Sequence, residues 1–197
     1  MTETLKLNLG CGDRLLDGYI NVDKFGNPDI KCDLEVFPWP WNDSCAEEVI
    51  LSHVLEHLGS TADIYLNIIK ELYRVCKPDA IVKIDVPHPR HDDFITDPTH
   101  CRVVTPRSLL HFDQQMNQYW IQNRFSDTPL GVYLKVDFRI IEVINYWTPE
   151  WHKKLISGEI SNEQLMEAEK AFSNVMSAYH IKLKVIKPEP TTPSDIL

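Results

Sequence analysis

Asp23 and Asp33 each close a short apolar run, Tyr19-Ile20-Asn21-Val22 and Ile30-Lys31-Cys32, placing a carboxylate where a strand would end. Such a carboxylate accepts hydrogen bonds from sugar hydroxyls or from an exocyclic amine. Upstream, Leu5-Lys6-Leu7-Asn8-Leu9 alternates as a strand does and runs directly into Gly10-Cys11-Gly12. Glycines there let the backbone bend sharply and approach a ligand with no Cβ in the way. Strand, Gly-x-Gly turn, second strand and acidic tip are the parts that an adenosine-bearing ligand needs. The alternative is an ordinary glycine turn between buried strands, with Asp33 capping a turn. The dinucleotide fingerprint fits less well: Leu15 stands at its third glycine, and Asp23 follows Gly12 by eleven positions where about 20 are usual.

The remaining chemistry is carried by imidazoles. His53, His57, His88, His91 and His100 are candidates for proton transfer, since imidazole titrates near neutral pH. His91-Asp92-Asp93 and His100 also contain metal-ligand types, but the spacing is nonspecific and no metal is expected. Cys11, Cys32, Cys45, Cys76 and Cys101 show no Cys-x-x-Cys spacing, which argues against a zinc site or a disulfide framework.

The elements that must position these groups follow in order. Val49-Ile50-Leu51-Ser52-His53-Val54 reads as a strand buried on both faces of a parallel sheet. A helix opens at Ser60 or Thr61, runs with a stripe of Ile64, Ile68, Ile69, Leu72, Val75 and Cys76, and stops at Lys77-Pro78-Asp79. Ala80–Pro87 follows as another buried strand. Strand, helix, strand in this order predicts a doubly wound α/β sheet, whose ligands lie beyond the C-terminal strand ends. Gly10, Asp23, Asp33, Ser52 and Pro87 all fall there. Only nine residues separate Leu9 from Tyr19, whereas a parallel crossover usually takes a dozen or more. The first crossover helix is therefore cut to a single turn around Arg14–Asp17.

Beyond Pro87, His88–Asp113 is a loop of histidines, aspartates and prolines at the edge where substrate contacts gather. Thr105-Pro106 starts a helix with proline in its first position. The aromatic, amide-rich residues 114–133 form a partial lid. A strand over Asp137–Trp147, a charged helix near 161–178 and an outer antiparallel strand over His180–Lys187 complete a single domain, 1–187. Residues 188–197 form a loose tail.

Leu7-Asn8-Leu9-Gly10-Cys11-Gly12 followed by Asn21-Val22-Asp23 resembles the first two motifs of the class I S-adenosylmethionine-dependent methyltransferases. Glu48-Val49-Ile50-Leu51-Ser52-His53-Val54-Leu55-Glu56-His57-Leu58 resembles the fourth-strand segment of the same family, and Asp97-Pro98-Thr99-His100…Thr105-Pro106 a segment of its small members. The resemblance implies a Rossmann-like methyltransferase sheet, mostly parallel with an antiparallel edge strand. It implies S-adenosyl-L-methionine as cofactor, with S-adenosyl-L-homocysteine as product. Asn8, Gly10, Cys11, Gly12, Asp23, Lys24, Asp33, Leu34, Ser52 and His53 would contact the cofactor, and His57, His88, His91 and His100 are the catalytic candidates. The acceptor would be an O or N of a small molecule or saccharide. The alternatives are a noncatalytic subunit that keeps the fold, or another transferase using this cofactor.

Bulk properties narrow the partners. With 197 residues and 43% hydrophobic content the chain can fill one core. Its net charge of −9 disfavours a nucleic-acid substrate. No apolar run approaches the roughly 18 residues of a membrane span, and Met1-Thr2-Glu3-Thr4 lacks the form of a secretion signal. A cytoplasmic protein is expected.

Overall fold

The computed structural model describes residues 4–188, so the expected loose tail lies outside the described residues except for Pro188 itself. The alternating run at the N-terminus forms β1 (Leu5–Leu9), flanked in parallel by β2 (Ile20–Asp23) and β4 (Ala46–Ser52). The short β3 (Ile30–Lys31) adds outside β2, and β5 (Cys76–Pro87) outside β4, again in parallel. With β6 (Phe138–Trp147) and β7 (Met176–Val185), the sheet has seven strands in the order β3-β2-β1-β4-β5-β7-β6. This is a mostly parallel, Rossmann-like α/β sheet.

The antiparallel strand is β7, which pairs with both β5 and β6 and therefore sits one place in from the edge, not outermost as expected. Its alternation has another cause. Ile181 and Leu183 are opposite Ile84 and Val82 on the apolar side, while Lys182 and His180 face the other way.

Those two sides differ sharply along the whole sheet. Leu7, Leu9, Val22, Val49, Leu51, Val82, Ile84, Ile181 and Leu183 share one core with Ile68, Ile69, Leu72 and Val75 of α1 (Ala62–Val75). Thr61 caps α1 by accepting from the Ile64 amide. The helix ends at Val75, so Cys76 and the Lys77-Pro78-Asp79 stop signal already belong to β5. On the opposite side lie charged pairs: Lys83–Glu48 at 2.8 Å, Lys182–Glu142 at 2.7 Å and His180–Asp85 at 2.6 Å. β4 is thus buried on one face only, contrary to the reading of its apolar run.

The reason is that no helix occurs in the connections β1–β2, β2–β3 or β3–β4. The single helical turn expected around Arg14–Asp17 does not form. Its loop is instead pinned by side chains from the strands beneath. Asn8 Nδ2 donates to the Arg14 carbonyl at 2.8 Å and to Asn21 Oδ1 at 2.9 Å. Asn21 Oδ1 also accepts from the Leu16 amide at 2.8 Å, and Asp29 takes both the amide and the side-chain amide of Asn21. A polar network replaces the apolar footing that a helix would have used.

After β5 come α2 (Asp92–Ile95) and α3 (Pro106–Leu109), the latter with Thr105 in a capping box and Pro106 at its start, as expected. α4 (Gln114–Asn123) and α5 (Leu130–Leu134) pack against the 3-10 turn Leu110–Phe112. Between β6 and β7 stand α6 (Pro149–Ile156) and α7 (Asn162–Ala171), which close a second small core around Leu165, Ala168 and Val175. α7 is shorter than the expected 161–178, because the chain must turn at Phe172 to enter β7 at Met176. No helix among the described residues is long and apolar enough to cross a membrane.

Candidate functional site

The C-terminal ends of β1, β2 and β4 open onto one groove of about 410 Å³, a size suited to a ligand of nucleoside dimensions. Gly10, Asp23, Lys24, Asp33, Leu34 and His53 line it, together with His57. Each gets there by local geometry. Gly10 leaves β1 at φ +68°, and its amide and that of Cys11 both donate to the Val22 carbonyl, at 2.7 and 3.0 Å. A Cβ on Gly10 would meet Val54 Cγ2 at 2.5 Å, so only glycine lets the turn pass this close to the opposite wall.

Asp23 anchors the turn from the other side. Its Oδ2 accepts from the Gly12 amide at 2.9 Å and its Oδ1 from the Phe25 amide at 2.8 Å. An ionised carboxylate offers about four acceptor sites, so two remain for ligand hydroxyls. Asp33 lies just past β3, where its Oδ1 takes the Glu35 amide at 3.0 Å and its Oδ2 stands 3.7 Å from Lys24 Nζ. Leu34 and Leu58 supply apolar wall.

Other expected cofactor residues lie near the groove without lining it. Asn8 is buried beneath the loop, where it holds Arg14 and Asn21. Cys11 is also buried, which pushes its thiol pKa up. Gly12 contributes through the hydrogen bond its amide donates to Asp23. Ser52 pairs with Asp85 in the sheet register, one residue before the groove-lining His53.

The histidines separate into two groups. His53 turns out of β4 in the left-handed region, φ +56°, with its amide donating to the Asp85 carbonyl. The Glu56 carboxylate beside it, 3.3 Å from Nδ1, pushes its pKa up against the opposing effect of burial. His57 ends the 3-10 turn Leu55–His57, its Nδ1 2.8 Å from Thr99 Oγ1 and its ring 4.5 Å from that of His100. His88 and His91 do not reach the groove. His88 is buried with Nε2 3.2 Å from Glu169 of α7, and burial holds its pKa down. His91 caps α2 by accepting from the Asp93 amide.

Phe25, Cys32, Val54, Leu58 and Thr99 also line the groove and were not picked out. Phe25 had a signal, an aromatic in a polar turn two residues after Asp23. Thr99 is the only residue of 88–133 that lines the groove; α4 and α5 stand elsewhere. The segment that closes on the 88–92 loop is α7 with the turn after it: Glu169 of α7 meets His88 and Arg90, and Asn174 past its end accepts from the Asp92 amide.

No protein-family model matches the chain, and no curated protein matches it. Solved structures do. A S-adenosylmethionine-dependent methyltransferase from Archaeoglobus fulgidus is 20% identical with a TM-score of 0.56, over 92% of this chain and 86% of that one. The Burkholderia thailandensis 1,6-didemethyltoxoflavin-N1-methyltransferase, solved with S-adenosylhomocysteine, is 10% identical with a TM-score of 0.52, over 94% and 72%. The cyclase SpnF is 14% identical with a TM-score of 0.51, over 95% and 78%. The chain thus has the fold that solved S-adenosylmethionine-dependent methyltransferases adopt, with its groove at the strand ends where Gly10, Asp23 and Asp33 meet.

Proposed function

We propose that the protein is a S-adenosylmethionine-dependent methyltransferase acting on an O or N of a small-molecule or saccharide acceptor. The single observation that carries this reading is the convergence of Gly10, Asp23 and Asp33 on one groove. Asp23 has acceptor sites left for the ribose hydroxyls, and Asp33 for the adenine amine, with Leu34 packed against the base. Lys24 and Phe25 border the same end. When bound, the cofactor supplies a methyl group on a sulfonium whose leaving group is already activated. The chain's own task is therefore to position the acceptor in line and exclude water. His53, His57 and Thr99 border the groove where an acceptor would approach, whereas His88 and His91 act in holding the 88–92 loop.

Calorimetry with S-adenosylhomocysteine tests the reading. Asp23→Ala should weaken affinity tenfold or more, from loss of a charge-assisted hydrogen bond of about 1.5–3 kcal/mol. Unchanged affinity counts against the assignment. A cyclase shares the fold, so the fold alone does not select methyl transfer, and the alternative is another transferase using this cofactor. Incubation with methyl-labelled cofactor and candidate acceptors separates the two, since only methyl transfer moves the label.

A further inference from the structure

Glu56 lies beside the groove, yet the adenosyl reading gives it no task. It is 1% exposed, and among the described residues neither carboxylate oxygen has a hydrogen-bond partner. His53 Nδ1 stands 3.3 Å from Oε1 without the alignment of a hydrogen bond. Burying a carboxylate is costly, and here the contact with His53 offsets that cost without an aligned hydrogen bond, whereas a buried carboxylate is normally hydrogen-bonded or bound to a metal.

Two imidazoles complete the set. One ligand atom from each of Glu56, His57 and His100 lies within 4.8 Å of the others. Outer hydrogen bonds fix both rings in the tautomer a metal needs. His100 Nδ1 meets the Phe94 carbonyl at 2.9 Å, which can only accept, so Nδ1 carries the proton and Nε2 the lone pair. Thr99 Oγ1 donates its proton to Asp97 Oδ1 at 2.6 Å and so accepts from His57 Nδ1 at 2.8 Å. Nε2 of His57 is left as the ligand. Partners of this kind orient metal-binding histidines. The backbone holds the two strips together as well, since the Cys101 and Arg102 amides donate to the Glu56 carbonyl at 2.9 and 3.1 Å.

We propose that Glu56, His57 and His100 bind one divalent first-row cation, such as Zn²⁺ or Mn²⁺, beside the groove, which His57 alone of the three lines. Two imidazoles and one carboxylate suit such ions and leave coordination positions open. The role of the cation rests on the methyltransferase reading: it holds the acceptor by a hydroxyl oxygen. The bound hydroxyl loses its proton to solvent, and its lone pair forms the new O–C bond to the methyl carbon. The S–C bond breaks, its electron pair returns to sulfur, and a neutral thioether leaves. The acceptor class is thereby an alcohol or phenol, not an amine.

The test is calorimetric titration of the chelator-treated full chain with ZnCl₂ and, separately, MnCl₂. Wild type should bind one ion per chain in the micromolar range or tighter. Glu56→Gln and His100→Ala should each weaken it by about 100-fold or more, and Thr99→Val, which removes an outer partner, by ~10-fold. His152→Ala, at an exposed position of α6 outside the cluster, should bind as wild type does. If Glu56→Gln does not fold, His100→Ala at its half-buried position carries the test. Absence of stoichiometric binding by wild type, or full binding by His100→Ala, overturns the proposal. S-adenosylhomocysteine is titrated into the metal-free protein in parallel. Its failure with Zn²⁺ binding intact sinks the methyltransferase reading and leaves the metal site; the converse sinks the metal site alone.

Discussion

Gly10 shows how little tolerance the groove has at a single position. Adding one methyl there brings it within 2.5 Å of Val54 Cγ2 while keeping the chain in a left-handed conformation. Gly12 shares the left-handed φ, +51°, but a Cβ on it would meet nothing within 4 Å. Gly10→Ala should therefore destabilise by about 1–3 kcal/mol from backbone strain, with further loss from the displaced Val54. Gly12→Ala should cost only ~1 to 2 kcal/mol. Urea unfolding of the two variants checks the order, and equal costs would count against the close approach. These glycines and the two carboxylates were legible because a sharp bend and a strand-end charge leave a spacing in the text. Glu56 was not, since its burial depends on chain that returns at residues 101–102 to bond its carbonyl, which no local spacing announces. Asn8 and Ser52 do not line the groove, and the motif could not say so, because it gives their order along the strand but not the side to which each points.

At the scale of elements, α1 is tied to the proline-rich loop before β4 through Glu71 and Arg74, which pair with each other on the helix and reach the loop together. Glu71 Oε1 stands 2.7 Å from Arg74 Nε, and its Oε2 takes the Trp39 amide at 2.7 Å. Arg74 in turn donates to the carbonyls of Trp41 and Trp39 and to Asp43. The Arg74 hydrogen bond holds the Glu71 carboxyl below the usual glutamate range, against the opposing effect of burial. A depressed folded-state pKa gives stability that is fully present above the unfolded value, near 4.3, and is lost as pH falls through the folded value. Glu71→Gln should cost about 1.5–3 kcal/mol at neutral pH and flatten the acid limb of the stability curve below about pH 5. Denaturant midpoints followed by the fluorescence of Trp39 and Trp41 measure both. The stripe of α1 was written plainly at helical spacing. α6 was passed over although Thr148-Pro149 repeats the start signal of Thr105-Pro106. The inner place of β7 was hidden, because alternation marks a strand with unlike faces and says nothing about its neighbours.

For the whole molecule, the decisive property is that the core shared with α1 backs one side of β1 and β2, while the loop on the other side is held mainly by hydrogen bonds. Residues 11–19 have few apolar contacts and rest on Asn8, Asn21 and Asp29. Segments of this kind open at low free energy. Amide hydrogen exchange should be fastest there among the groove elements, and should slow when S-adenosylhomocysteine is added. Exchange as slow as that of β4, with or without ligand, would contradict this. The same short loop passes from Gly12 to Asp23, so any molecule that grips both ends acts as a keystone for a corner without its own scaffold. Arg14 is exposed at the middle of that span. Susceptibility to a tryptic nick after it would then report, in a crude extract, how much of the protein is carrying its ligand.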